Sequence, residues 1–188
     1  MNTIEISNQN GEAIFEYTTE RNDIKKTVTA AISSGVSLIN ADFWIMDLRG
    51  VDFGGVNLTG ANFGAANLDG AVLNDVNLSY ANLGCAYFRG AVLNDVNFRG
   101  AHLVDADFSG AALVGTNFNE VFLSYVKFVG ADFTGADLSC AHVYGSNFST
   151  TILKGANLNQ TYFEKTNLKG ALLDSKFDNA YWKDCEFS

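Results

Sequence analysis

From Val36 to Leu173 the sequence can be cut into fives without a gap. The third place of each unit runs Leu38, Phe43, Leu48, Phe53 and onward to Leu173, and across the 28 units it is Leu or Phe everywhere except Val143. The first place is small or β-branched in every unit but the one holding Met46, and the second is Asp or Asn in 16 of the 28. A period of five fits neither the 3.6 of a helix nor the 2 of a strand. A chain that bends after each fifth residue can still turn its first and third places inward on every side. Four such sides close a coil of twenty residues, and stacked coils share one continuous core. Leu and Phe then fill the axis, while Ala lets the walls approach.

The fifth place supplies the bend. Thirteen of the 18 glycines sit there, from Gly50 to Gly170. A type II turn needs a positive φ at its second central residue, which Gly adopts without steric cost. Asp75, Tyr80, Asp95 and Tyr125 occupy the same place, and another turn type is expected at those corners. The chain has no proline, as expected where every short wall donates backbone N–H groups to its neighbours. Positions twenty apart also resemble each other. AVLNDVNL over 71–78 is followed by AVLNDVNF over 91–98, one wall carries Asn57, Asn77, Asn97, Asn117, Asp137 and Asn157, and another lines up Phe88, Phe108, Phe128 and Phe148.

Units such as Ala61-Asn62-Phe63, Ala131-Asp132-Phe133-Thr134-Gly135 and Ala156-Asn157-Leu158 resemble those of pentapeptide-repeat proteins, over about four fifths of the chain. The resemblance implies an all-β solenoid, the right-handed quadrilateral parallel β-helix, and the handedness comes from it alone. The expected body is residues 36–188. The frame slips once, at the four-residue unit Ala171-Leu172-Leu173-Asp174, after which Phe177, Trp182 and Phe187 resume the spacing. Nearly eight coils at about 4.8 Å each make a rod roughly 37 Å long.

Residues 1–35 fall outside the frame. Thr3 to Ser7 and Glu12 to Tyr17 read as a β-hairpin turned through Asn10-Gly11. Asp23 to Ser34 reads as a short helix with Asn22 as its N-cap and Gly35 as its stop. A solenoid's end coil exposes core and unpaired backbone, so this segment is expected to be an N-terminal cap. It resembles leaders that precede such repeats in some bacterial and phage proteins, which implies a bacterial or phage source.

The formal charge of −9 and acidic isoelectric point argue against direct contact with nucleic acid or an anionic membrane. No run approaches the roughly 20 apolar residues of a membrane helix. The start lacks a basic region followed by an apolar one, and three cysteines without paired spacing suit a reducing compartment. A cytoplasmic protein is expected.

Catalysis needs convergent groups in a concavity, and a regular rod offers flat walls. The two histidines, His102 and His142, lie two coils apart on one wall, roughly 10 Å by the strand spacing. Cys85, His102 and Asp105 can be imagined on one edge, but without a fourth ligand or a known metal spacing. No catalytic, cofactor-binding or metal site is expected, and no cofactor. Cys85 and Cys140 fall at corners in different coils and Cys185 inward, so no disulfide is expected.

Two surface features stand out. Placing the outward residues on their walls collects Trp44, Ile45, His102, Val104, Phe122, Tyr125, His142, Tyr144 and Tyr162 on one wall and its edge. Contiguous aromatic patches mark contact sites, although rings stacked from coil to coil also stiffen a wall. This wall is the candidate contact for a protein partner of unknown identity. A second wall turns Val72, Val92, Ala112, Ile152 and Leu172 outward, broken by Asp52 and Asp132. The other feature is acid: residues 42–137 hold eleven acidic and four basic side chains. Asp42, Asp47, Asp52, Asp69, Asp75, Asp95, Asp105 and Asp107 form a candidate DNA-mimicking surface. Some pentapeptide-repeat proteins of quinolone resistance protect DNA gyrase by imitating DNA, though this chain has neither their interrupting loop nor their C-terminal dimerisation helix. The open far end, with Trp182 and Phe187, is a candidate end-to-end homodimer contact.

Overall fold

The computed structural model describes residues 2–19 and 23–187. Strands β1 (Asn2–Ser7) and β2 (Ala13–Thr19) form an antiparallel hairpin. Its turn is organised by Asn8, whose Oδ1 accepts the N–H groups of Asn10 and Glu12 at 2.9 and 3.0 Å. Helix α1 (Ile24–Ser33) follows, capped by Asp23, whose side chain accepts the Lys26 N–H. The expected cap, Asn22, lies outside the described residues. Gly35 ends the helix with a φ of +71°, the left-handed conformation that Gly enters at least cost. Ile6, Val28 and Ala31 are buried in the same core as the first repeat residues. The Asp42 N–H donates to the Ser7 carbonyl at 2.8 Å and joins hairpin to repeat.

Beyond Val36 the backbone bridges residue i to residue i + 20. Four columns result, numbered here as walls one to four in chain order. Wall one runs Asn57, Asn77, Asn97, Asn117, Asp137, Asn157, Lys176, and wall two begins Asp42, Asn62, Asn82, His102. Wall three runs Asp47, Asn67, Tyr87, Asp107, Lys127, Asn147, Asn167, Glu186, and wall four runs Asp52, Val72, Val92, Ala112, Asp132, Ile152, Leu172. After the four-residue unit the step drops to nineteen, as in Asn157 to Lys176, and the columns continue unbroken.

One unit shows where every N–H goes. The Ala61 N–H closes the preceding corner on Leu58 O at 3.0 Å, and Asn62 N–H donates back to Ala41 O at 2.9 Å. Phe63 and Ala65 donate forward to Asn82 O and Gly84 O at 2.7 and 2.9 Å. The fourth place, Gly64, donates to the Oδ1 of Asn62 in its own unit at 3.1 Å. All 16 second-place Asp and Asn residues accept the fourth-place N–H in this way. The amide row along wall one is therefore mostly a stack of Asx turns. Side-chain bonds between coils on this wall are fewer, from Asn97 to Asn77 at 3.4 Å and from Asn157 to Asp137 at 3.0 Å. In a complete unit such as 61–65 all five N–H groups are employed, so proline would remove a bond at any of its places.

The corners correct one expectation in part, because a positive φ is not confined to glycine, while the Tyr125 corner, which lacks the usual closing bond, does differ from the others as expected. Asp75, Tyr80, Asp95 and Tyr125 have φ values of 60°, 60°, 58° and 58°, the same sign as the glycines. The Tyr80 corner closes with the ordinary Ala81 N–H to Leu78 O bond at 3.1 Å. At Tyr125 the closing bond is instead mediated by the next coil. Ser146 Oγ accepts from Val126 N–H at 2.9 Å and donates to Leu123 O at 3.0 Å. The stack of coils thus holds its corner residues in a left-handed conformation that isolated L-residues avoid.

Inside, first and third places are almost uniformly buried. Phe88, Phe108, Phe128 and Phe148 stack with centroid separations of 4.6, 5.4 and 4.7 Å. A second column, Phe98 on Phe118 at 4.6 Å, meets the first edge-on. Offset stacks and T-shaped contacts are the arrangements that ring quadrupoles favour.

Candidate functional site

Wall two changes character half-way along. Its second places are Asp or Asn up to Asn82, then His102, Phe122, His142, Tyr162 and, after the slip, Tyr181. Loss of the Asx acceptor is not by itself enough to extend a wall, since Val72, Val92, His102, Ala112 and Ile152 also lack one and their units keep the ordinary turn; from Phe122 onward the fourth place of this wall joins the strand. Three-residue parallel strands form: β3 (Phe122–Ser124), β4 (His142–Tyr144), β5 (Tyr162–Glu164) and β6 (Tyr181–Lys183). Their register sets Phe122 beside His142, His142 beside Tyr162 and Tyr162 beside Tyr181.

The outward rings follow that register. Phe122 and His142 stack at 5.0 Å, His142 and Tyr162 lie 6.0 Å apart, and Tyr162 and Tyr181 stack at 4.9 Å. Phe122, Tyr125 and Tyr181 remain more than half exposed, at 65 %, 53 % and 52 %. Along the wall's edge Tyr125 meets Tyr144 edge-on at 5.5 Å. Lys165 donates to the Tyr144 hydroxyl at 3.0 Å, and this bond pushes the Tyr144 phenol below its ordinary range. Lys183 donates to Glu164 at 2.8 Å and holds that carboxyl below its usual value. Two lysines and one glutamate therefore rim an aromatic stripe.

The structure brings together Phe122, Tyr125, His142, Tyr144 and Tyr162. Trp44 and Ile45 stand at the opposite end of the same wall. The Trp44 indole leans over Gly64, where an added Cβ would meet it at 3.1 Å. His102 leans the other way, its imidazole 3.4 Å from the corresponding position on Gly84. Sequence reasoning missed Tyr181, Lys165 and Lys183. Counting nineteen rather than twenty across the short unit would have placed Tyr181 on this wall.

The acidic candidates do not share a face. Asp42 stands on wall two, Asp47 and Asp107 on wall three, and Asp52 on wall four. Asp69 pairs with Arg89 of the next coil at 2.7 Å. Asp47 is bound by Arg49 at 2.7 Å and lies 3.6 Å from Lys25; the Arg49 hydrogen bond holds its carboxyl far below the ordinary carboxylate range. Asp75 and Asp95 stand in one corner column and Asp105 in another. Asp42, Asp47, Asp52 and Asp107 each cap a fourth-place N–H. Much of the acid is thus part of the coil's own hydrogen bonding, distributed round the rod.

The three cysteines are free thiols. Among the described residues no group of three or more His, Cys, Asp or Glu side chains is placed to share a metal ion, and no helix is long and apolar enough to cross a membrane.

The family model for pentapeptide repeats matches in eight copies, in overlapping segments that cover residues 37–175. The chain belongs to the pentapeptide repeat family. As a pentapeptide repeat protein it is a right-handed β-helix. Among solved structures it is similar to HetL, a pentapeptide repeat protein involved in heterocyst differentiation regulation from the cyanobacterium Nostoc. Identity is 22 % with a TM-score of 0.40, over 86 % of this chain and 93 % of that one. QnrB1, a plasmid-mediated fluoroquinolone resistance protein, matches at 19 % identity and a TM-score of 0.45, over 75 % of this chain and 79 % of that one. A pentapeptide repeat protein of the Arabidopsis thaliana thylakoid lumen is 32 % identical over 53 % of this chain and 59 % of its own, with a TM-score of 0.20. No curated protein matches.

Proposed function

We propose that this pentapeptide repeat protein is a non-enzymatic binding scaffold, in which residues 1–35 cap a rod of nearly eight coils spanning 36–188 and wall two contacts a protein partner. The observation that carries this reading is the change along wall two. From Phe122 onward the wall forms short strands and carries a row of outward, closely packed rings. Stacking fixes each ring before any partner arrives, so little side-chain entropy is lost on binding. A rigid aromatic centre with charged Lys165, Glu164 and Lys183 at its rim matches the anatomy of protein-protein contacts.

Replacing Phe122 and Tyr144 together by Ser removes ring area without touching a core place. The doubly substituted protein is expected to keep its circular-dichroism spectrum and to lose capture of the partner that the parent retains from a host lysate. Retention of every captured protein would remove wall two from consideration.

The alternative reading is an acidic DNA mimic that modulates a DNA-binding enzyme such as DNA gyrase. The excess of acid between residues 42 and 137 favours it, and the dispersal of the carboxylates over several walls weighs against it. A supercoiling assay is expected to show no effect of micromolar protein on gyrase, with or without a quinolone; inhibition or protection would reverse the preference.

A further inference from the structure

Wall two ends in two kinds of corner, and what lies inside the rod sorts them. In the ordinary kind a first-place N–H closes the turn directly on the third-place carbonyl before it. Met46 does so on Phe43 O, Ala66 on Phe63 O, Ala86 on Leu83 O and Ala106 on Leu103 O, at 2.9–3.1 Å. After β3, β4 and β5 the N–H groups of Val126, Ser146 and Thr166 make no such bond among the described residues. The difference follows the first-place residue one coil further on, which stands behind the turn. Behind the ordinary corners it is Ala66, Ala86, Ala106 and Val126; behind the open ones it is Ser146, Thr166 and Cys185.

Ser146 shows how such a residue acts. It is buried in the core. Its Oγ accepts the Val126 N–H at 2.9 Å and donates to Leu123 O at 3.0 Å. A hydroxyl set between a donor and an acceptor that would otherwise meet keeps both satisfied and holds them apart. The chain then has no need to turn at Ser124, so Phe122–Ser124 stays extended and pairs with β4. Behind β5, Cys185 Sγ donates to Phe163 O, the counterpart of Leu123 O, at 3.6 Å. Behind β4, the buried Thr166 hydroxyl bonds Glu164 O at 3.1 Å. A buried hydroxyl is not sufficient by itself. Thr161 Oγ1 donates to Leu138 O at 2.8 Å, yet Ala141 N–H still closes that corner on the same carbonyl at 3.0 Å. Ser146 differs in also accepting the N–H of the corner.

We infer that Ser146 is the positioning residue of the wall-two stripe: its hydroxyl opens the Tyr125 corner from within the core and so makes Phe122 the first ring of the row. One coil earlier Val126 offers no hydroxyl, and His102 stands in a unit with the ordinary turn. The place where the stripe begins is thus written in a buried side chain of the following coil as well as in the rings themselves. That the stripe is a contact rests on the reading given above; the construction of the corner does not.

Crystal structures and backbone NMR shifts of three full-chain variants test this. Ser146→Ala removes a single oxygen and should let Val126 N–H close directly on Leu123 O, at about 2.9–3.0 Å. Ser124 then leaves β3, and the shift changes centre on Phe122 to Val126. Ser146→Thr restores a hydroxyl and should keep the parent's corner. Val126→Ser should do the reverse one coil earlier, opening the Asp105 corner and extending His102 to Val104. Circular dichroism and thermal melts check that each variant folds, and Ser146→Ala decides the matter even where Val126→Ser does not. A corner still open in Ser146→Ala, or an ordinary Asp105 turn in folded Val126→Ser, would overturn the inference. A closed corner in Ser146→Ala supports it whatever a partner does; undiminished partner capture by that variant would count against wall two as the contact.

Discussion

The ring of Tyr80 lies across Gly100 of the following coil, where an added Cβ would come within 2.7 Å of two ring carbons. Tyr125 covers Gly145 in the same way at 2.8 Å. Each of these corner tyrosines leans along the rod over a next corner that is glycine. Gly100→Ala is therefore expected to combine two costs, the left-handed φ of +68° and the collision. Gly70, with a φ of +65° and nothing within 4 Å, isolates the first at about 1–2 kcal/mol. Urea denaturation should show Gly100→Ala less stable than Gly70→Ala, and adding Tyr80→Ala should bring the two level.

The Asx turns make a sharper claim about wall one. Asn117 Oδ1 accepts the Asn119 N–H at 2.9 Å. Asn117→Val keeps a residue type already present on wall four and deletes that acceptor, at an expected cost of about 1 kcal/mol. Asn117→Asp keeps the acceptor and should fall within about 0.5 kcal/mol of the parent. Equal losses for both would mean that the side chain matters for packing rather than for the bond.

Ile45 is a β-branched residue held at a φ of +53°, a conformation that costs an L-residue about 1–2 kcal/mol. Its side chain is 61 % exposed, so little packing offsets the strain. Ile45→Gly should stabilise the fold by up to about 1 kcal/mol after glycine's own backbone entropy is charged against it. Chemical denaturation reads the sign directly.

The pair of Glu164 and Lys183 carries a pH signature. Lys183 lowers the folded-state value of the Glu164 carboxyl, so the stabilisation is fully present above the unfolded value of about 4.3. It disappears as pH falls through the folded value. Melting temperatures of the parent and of Lys183→Met should differ near neutrality and converge as the solution is taken below that window. A constant difference across the range would assign Lys183 a packing role.

Much of the rod was legible in the residues because periodicity is read without knowing any contact. Leu38 to Leu173 announce an inward third place, and the twenty-residue echo of 71–78 in 91–98 announces four walls. Corner geometry was less legible. Tyr80 and Tyr125 carry no local mark of a positive φ, because the conformation is imposed by coils on either side rather than by their own propensity. The Asx turns were visible as composition but not as chemistry, since a second-place Asn could equally have bonded its neighbour twenty residues away. The dispersal of Asp42, Asp47 and Asp52 over three walls was available by counting fives, whereas the ion pair of Asp47 with Lys25 depends on how the leading hairpin and helix settle on the rod. Tyr181 was hidden by a single missing residue.

That missing residue shows how such a molecule can be re-aimed. The step from Asn157 to Lys176 skips one position and leaves every column in line, so the corner takes up the slack locally. Removing twenty residues, such as 76–95, would shorten the cylinder by one storey and leave Phe122 facing the same compass point. Removing five would swing everything downstream through a quarter turn, like a dial advanced by one click, and present the aromatic stripe on a different side from Trp44. Length and bearing are thus set independently, by how many whole turns and how many extra sides separate one landmark from the next.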